Sequence, residues 1–478
     1  MKKEMRRREF LKAAAIGAGG ALSLGSPGIL AFGAAPKGSR LVSPGCRGTK
    51  VKVARIYMGN PEGLWPKPNL DLKSEVRFYE KKFEELKEEL SDVDFVVDEL
   101  ITSPEQVEGI KGRLKDVDGI LLIHLTLRIS PILEGILAAG LPTMVFAVPF
   151  SGHDWVRFGE LRKQKLGEKM ECLLTSDYRQ LAAAVRPFRA IHHLREARIL
   201  DNTEDLPAEY AEAVKNKFGT EIIKVARQQV LEAYNAVDIN EATAEADRWI
   251  KGAVAVVEPS REEIIKSCRL ALAFQNLLDQ ENATVMTVDC YGSMYHQLPA
   301  FPCIGFTRLN NMGLGGICES DLQSAMTYIL FQGLSGRPGF ISDPTLDTSI
   351  NSIILAHCMG TTRMDGPGKA VCPYKIRCIM ERQEGAVAQV KMQLGRKVTQ
   401  AILIGTDQLL YFTGEIIDAP DIDRGCRTKI TVKLDGDAET LWKNWSDGLH
   451  RVTCYENMAK DLEHFCRFKG IKMVNEAV

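Results

Sequence analysis

From Lys50 onward the chain alternates short apolar runs with longer amphipathic stretches, and the two periods predict two kinds of element. Val51-Lys52-Val53-Ala54-Arg55-Ile56-Tyr57 reads as a strand, and Phe95-Val96-Val97, Gly119-Ile120-Leu121-Leu122-Ile123 and Met144-Val145-Phe146-Ala147-Val148 as three more. Residues 74–90 place apolar side chains at helical spacing among abundant Glu and Lys, which predicts a helix with a wet outer face. Residues 104–115 and 130–139 predict two further helices. Strand–helix alternation of this kind implies a parallel sheet covered on both faces.

Residues 180–345 repeat the theme less regularly, with helices expected over 209–218, 240–250 and 261–278 and a strand at 285–288 that ends at Asp289. In open α/β sheets the carboxyl ends of strands border the ligand crevice, so Asp289 and Cys290 are placed beside a possible site. After residue 345 the texture changes. Short apolar runs at 353–355, 386–392, 401–404, 409–412 and 429–432 are bounded by turn residues, and only 458–466 reads as a helix. The expected architecture is therefore two Rossmann-like or flavodoxin-like α/β lobes, over 36–180 and 181–345, followed by a β-rich, barrel-like domain over 346–478.

Composition narrows the function. Sixty-one Lys+Arg against 62 Asp+Glu leave no basic excess to neutralise phosphates, which argues against nucleic-acid binding. Neither lobe carries G-x-G-x-x-G or G-x-x-x-x-G-K-[ST], so nucleotide binding has no motif. Twelve cysteines with no C-x-x-C pair argue against zinc ribbons and thioredoxin chemistry, and in so long a chain they make no disulfide framework. Residues 1–35 stand apart. A basic start leads into Arg7-Arg8-Glu9-Phe10-Leu11-Lys12, which resembles the twin-arginine export signal, and then into an uncharged Gly- and Ala-rich stretch. Pro27 and five glycines make that stretch a poor membrane anchor, and small residues near Ala31–Ala35 offer cleavage positions. The expectation is export by the twin-arginine translocase to a periplasmic or extracytoplasmic location.

Two regions concentrate polar chemistry. Asn311-Met312-Gly313-Leu314-Gly315-Gly316-Ile317-Cys318-Glu319-Ser320-Asp321 reads as a glycine-rich loop delivering Glu319 to the start of an apolar helix over 322–334. Its acidic residues have an alternative use as helix caps. Downstream, Asp343-Pro344 has the composition of a turn, His357-Cys358 closes an apolar run, and His450 precedes Arg451-Val452 beside another expected strand. His153, on a loop, and Asp289 and Tyr291, just before the glycine-rich stretch, are candidate ligand contacts.

Taken in order, C-E-x-D, helix, Asp343, His357-Cys358 and a late His450 resemble the L-fucose isomerase and L-arabinose isomerase superfamily, best over residues 283–360 and the last thirty residues. The resemblance implies a divalent metal, usually manganese, at the bottom of a sugar cleft between domains, and a homo-oligomer. It implies Glu319 and Asp343, 24 residues apart, as metal ligands that double as base and acid, with His450 as a third ligand. His357 falls where the family has H-C-G; here the string is His357-Cys358-Met359-Gly360. The chemistry suits the residues. Aldose–ketose isomerisation removes a proton next to a carbonyl and returns it to the neighbouring carbon. A divalent cation stabilises the enediolate between the two steps, and a placed carboxylate moves the proton. Oxygen-rich ligation with imidazole favours Mn2+ over Zn2+. Two alternatives stand beside this reading: another metal-assisted proton abstraction on a sugar derivative, and an exported sugar-binding protein without chemistry.

Overall fold

The first lobe is built on five strands, β1 (Val51–Met58), β2 (Val93–Ile101), β3 (Gly119–His124), β4 (Thr143–Ala147) and β5 (Met170–Leu174). They pair in parallel in the order β2-β1-β3-β4-β5. Every residue of β3 and β4 is buried, as central strands covered on both faces require. Each such Leu, Ile or Val contributes about 1.5–3 kcal/mol. The structure, a computed structural model, describes residues 44–151 and 154–478; the export segment over 1–35 and His153 lie outside the described residues.

Local differences from expectation have local causes. The helix expected over 74–90 is Leu72–Glu85, capped by the Asp71 carboxylate, which accepts the N–H of Lys73 and Ser74. β5 escaped the pattern because Glu171 interrupts its apolar run; that carboxylate is buried against Arg162 and Arg467.

The second lobe follows with β6 (Arg198–Asn202), β7 (Glu221–Lys224), β8 (Ala255–Val256), β9 (Val285–Val288) and β10 (Gly315–Cys318). Four of these form a second parallel sheet in the order β10-β9-β6-β7. The chain leaves β6 to one side for β7 and returns on the other side for β9, so the carboxyl ends of β6 and β9 flank a switch point of the topology. The glycine-rich stretch read as a loop is strand β10. A side chain on Gly316 would come within 2.3 Å of the Phe306 backbone, in the helix Cys303–Asn311, so the glycine lets helix and strand touch.

The last third adds β11 (Phe340–Asp347), β12 (Ser352–His357), β13 (Tyr374–Arg377), β14 (Val387–Val390), β15 (Lys397–Ile404), β16 (Gln408–Asp418), β17 (Thr428–Leu434), β18 (Arg451–Tyr455) and β19 (Lys472–Asn475). Six of them close an antiparallel barrel, β15-β18-β11-β12-β17-β16, through the β15–β16 pairing; β19 lies parallel to β16, and β13 and β14 form a small sheet with β8. The expected two α/β lobes and barrel-like module are thus the observed architecture. The helix Leu322–Ser335, buried along almost its whole length, fills the space between the second sheet and the barrel and shares one core with Leu403 and Val452.

Asp343-Pro344 is not a turn. β11 runs through it, pairing with β18 up to Ser342 and with β12 from Asp343 onward. Pro344 has no N–H to give, and it sits where the ladder to β18 has already ended.

Candidate metal centre

Strand register sets the geometry. Arg451 pairs with Ser342, so the next residue out on each strand, His450 and Asp343, are brought side by side; His450 Nε2 lies 3.3 Å from Asp343 Oδ1. Asp343 pairs with Ala356, which puts His357 at the same end of the barrel. The fourth residue comes from the other module. Glu319 follows β10, at the carboxyl edge of the second sheet, and its carboxylate lies 3.9 Å from His357 Nε2 and 3.8 Å from His450 Nε2. Ligand atoms of Glu319, His357 and His450 all fall within 4.8 Å of one another.

The backbone under this cluster is unusual. Glu319 and Ser320 both adopt positive φ, 61° and 50°, a conformation that side chains other than glycine take at a cost of about 1–3 kcal/mol each. Hydrogen bonds hold it there. Ser320 N–H donates to Val288 O and Asp321 N–H to Cys318 O, both at 3.2 Å, and Ser320 Oγ donates to Asp201 Oδ1 at 2.6 Å. On the barrel side, fully buried Arg451 donates to Glu476 Oε1 at 3.1 Å and Asp447 O at 2.8 Å and stacks on Trp445 at 3.4 Å, which fixes the strand end that carries His450.

Asp321 has two duties. As N-cap of the helix Leu322–Ser335 it accepts from Ser324 N–H at 2.9 Å, the capping alternative read from the sequence. Its other oxygen lies 3.4 Å from His450 Nδ1. A carboxylate on one imidazole nitrogen turns the other, Nε2, toward Glu319 and Asp343, the arrangement that orients metal-binding histidines.

Charge follows from burial and crowding. Burial raises the Glu319 carboxyl; His450 counters this, while Asp343, Asp321 and Asp289 add to it. Burial likewise raises Asp343. His357 is pushed down to about 3 by burial and by the neighbouring His450, so it presents a neutral imidazole. Burial alone would lower His450 as well, but the bond to Asp321 and the charges of Glu319 and Asp343 lift it to about 9. A proton on His450 therefore offsets the carboxylates where a cation would do the same. Asp343 Oδ1 is buried and makes no aligned hydrogen bond. An unsatisfied carboxylate oxygen, two imidazoles and a second carboxylate fit a divalent cation.

Of the candidate ligand contacts, Asp289 and Tyr291 are described, and both have partners within the protein. Asp289 accepts from Ser293 N–H at 2.7 Å and Ser293 Oγ at 2.8 Å and so closes the turn after β9. Tyr291 OH lies 3.9 Å from Cys358 Sγ. Asp201, at the end of β6, had gone unnoticed in the sequence. It is buried, which raises its carboxyl to about 6, with Ser320 opposing and Asp289 reinforcing the shift. The signal for it was a carboxylate closing the run Ile199-Leu200, hidden by the shortness of that run.

Fold and site together define a two-sheet α/β protein with a barrel, carrying a carboxylate–imidazole cluster at the strand ends. No protein-family model matches the chain. Distant similarity is found to two sulfoquinovose isomerases. That of Alkalicoccus urumqiensis is 23% identical over 225 residues, 41% of this chain and 47% of the relative. That of Clostridium sp. (strain MSTE9) is 25% identical over 233 residues, 46% of this chain and 50% of the relative. The chain spans about half the length of the curated relatives it matches.

Proposed function

We propose that this chain is a metal-dependent sugar isomerase that interconverts an aldose and a ketose. The observation that carries the reading is the approach of Glu319, His357 and His450 to within 4.8 Å, with Asp343 Oδ1 3.3 Å from His450. The distant similarity to sulfoquinovose isomerases supports the same class of reaction.

Glu319, Asp343, His357 and His450 would hold the ion, and a divalent cation there supplies Lewis-acid stabilisation of negative charge on adjacent sugar oxygens. Asp321 keeps the His450 ring oriented. Of the two carboxylates, one takes the proton from the carbon next to the carbonyl and returns it to the carbonyl carbon, while the hydroxyl proton passes from one of the two adjacent sugar oxygens to the other. Burial raises both groups toward neutrality, where a carboxyl can accept and release a proton in turn. From its positive-φ backbone Glu319 brings its carboxylate within 4 Å of both imidazoles.

Incubating the purified protein and Mn2+ with neutral aldoses and with sulfoquinovose in heavy water tests this. Deuterium at C1 or C2 together with ketose is expected. Exchange that ends in an epimer or an elimination product, or sugar binding with no exchange at any carbon, overturns the isomerase. We also propose export through residues 1–35. Replacing Arg7 and Arg8 by Lys should hold the protein in the cytoplasmic fraction, and unchanged fractionation refutes it.

A further inference from the structure

The residue after His357 belongs to a second cluster. His357 pairs with Thr428 where β12 ends and β17 begins, so Cys358 and Cys426 both lie just beyond the same end of that ladder. The turn between β13 and β14 brings Glu381 to them. Cys426 Sγ donates to Glu381 Oε1 at 3.1 Å, and Cys358 Sγ faces Glu381 Oε2 at 4.0 Å, so each oxygen of one carboxylate meets a different thiol. The three ligand atoms lie within 4.8 Å of one another.

The supports are rigid. Arg427, almost fully buried, donates to Cys378 O at 2.8 Å, to Cys378 Sγ at 3.1 Å and to Asp423 at 3.0 Å, which ties the segment carrying Cys426, just ahead of β17, to the segment leading to Glu381. Ile379 N–H to Glu384 O and Gln383 N–H to Ile379 O, both 2.8 Å, close the turn. Cys358 is buried, Cys426 half-buried and Glu381 exposed, so the cluster opens to solvent on one side.

Two sulfurs and one carboxylate select differently from the oxygen–imidazole cluster next door. Thiolates favour zinc-class ions, whereas manganese favours oxygen. Zinc–sulfur bonds of about 2.3 Å in a tetrahedron set two sulfurs about 3.8 Å apart, so the cluster would have to contract by about 1 Å at most. We propose that Cys358, Cys426 and Glu381 form a second cation site, for a thiophilic divalent ion such as Zn2+, with water in the fourth position. Binding releases both thiol protons to solvent as one divalent ion enters, and no group changes oxidation state. The proposal uses none of the residues assigned to the isomerase and stands or falls separately from it.

Cobalt reports thiolate ligation through charge-transfer absorption in the near ultraviolet. The full-length protein, stripped with chelator under a phosphine reductant, is titrated with Co2+ and then Zn2+. One equivalent of thiolate-bound cobalt is expected, displaced by one equivalent of zinc. Cys426→Ser should abolish the absorption, Glu319→Gln should keep it, and unchanged circular dichroism of the metal-free Cys426→Ser protein shows that it folds. Absence of the band in the wild type, or its survival in Cys426→Ser, overturns the proposal. So does a stable Cys358–Cys426 disulfide found by peptide mapping under the same reductant.

Discussion

Two buried histidines in this protein have their charge raised by carboxylates to the same degree, yet they sit in opposite kinds of network. His192, on the helix Arg186–Glu196, lies 3.0 Å from Asp118 Oδ2 through Nδ1 and 3.0 Å from Thr49 Oγ1 through Nε2. Asp118 in turn accepts from Lys52 N–H at 2.8 Å and from Arg195 at 2.6 Å, so both ring nitrogens and both carboxylate oxygens have partners within the protein. His450 also reaches about 9, but only its Nδ1 has an orienting partner; Nε2 faces two carboxylates at 3.3 and 3.8 Å, one of them with an unsatisfied oxygen. A closed network stabilises the fold, whereas an open one leaves donor capacity for something else. Burial and charge alone do not separate the two; the hydrogen-bond accounting does.

The sharpest way to break this contrast is to exchange the outcomes. Glu319→Gln, in the open network, is expected to lower turnover by at least about 100-fold while the melting temperature of the metal-free protein stays near wild type. Asp118→Asn, in the closed one, should cost about 3–5 kcal/mol of stability by denaturant titration and leave kcat of the surviving folded fraction unchanged. If Asp118→Asn removes turnover and Glu319→Gln removes stability, the two networks have been assigned the wrong way round. His357→Gln sharpens the open side. It should release most of the bound manganese, measured by elemental analysis after gel filtration, and full retention would make His357 a packing residue.

A pH effect comes next in size. Burial opposes the charge on His192, but hydrogen bonds to Asp118 and the Cys46 thiol, with their charges, raise it from 6.5 to about 9. A folded value above the unfolded one stabilises fully below pH 6.5, and that contribution is lost as pH rises through about 9. Wild type should lose melting temperature over this window more steeply than His192→Gln; equal slopes would remove His192 as the cause. The smallest change is Asp289→Asn, which weakens a turn and removes one of the lesser charges acting on Glu319 and Asp201. We expect about 1 kcal/mol of stability and less than a 10-fold change in turnover, and a 100-fold loss would move Asp289 into the site.

The fold was legible where apolar runs were long and uninterrupted, as in Gly119–His124 and Thr143–Ala147. It was illegible where buried charge broke the run, as at Glu171 in β5 and Asp201 in β6. Proline misled at Asp343-Pro344, because composition does not show that a strand changes partner there. The residues of the candidate centre could be named because Glu319, Asp343, His357 and His450 keep a chain order that resembles known isomerases. Their mutual distances, the turning of His450 by Asp321 and the meeting of Cys358, Cys426 and Glu381 depend on barrel register, which no local window of sequence contains.

That register carries an inheritance. One residue inserted within β11 ahead of Asp343 would rotate the carboxylate to the opposite face of the wall, and two would restore its facing but displace it by about 6.8 Å. The hairpin tip at residues 405–406, ahead of the Asp407 carbonyl that accepts from Lys472 N–H, carries no residue of the centre. Descendants of this chain are therefore free to grow at that tip, while the stretch from Phe340 to His357 must keep its length even as its letters drift.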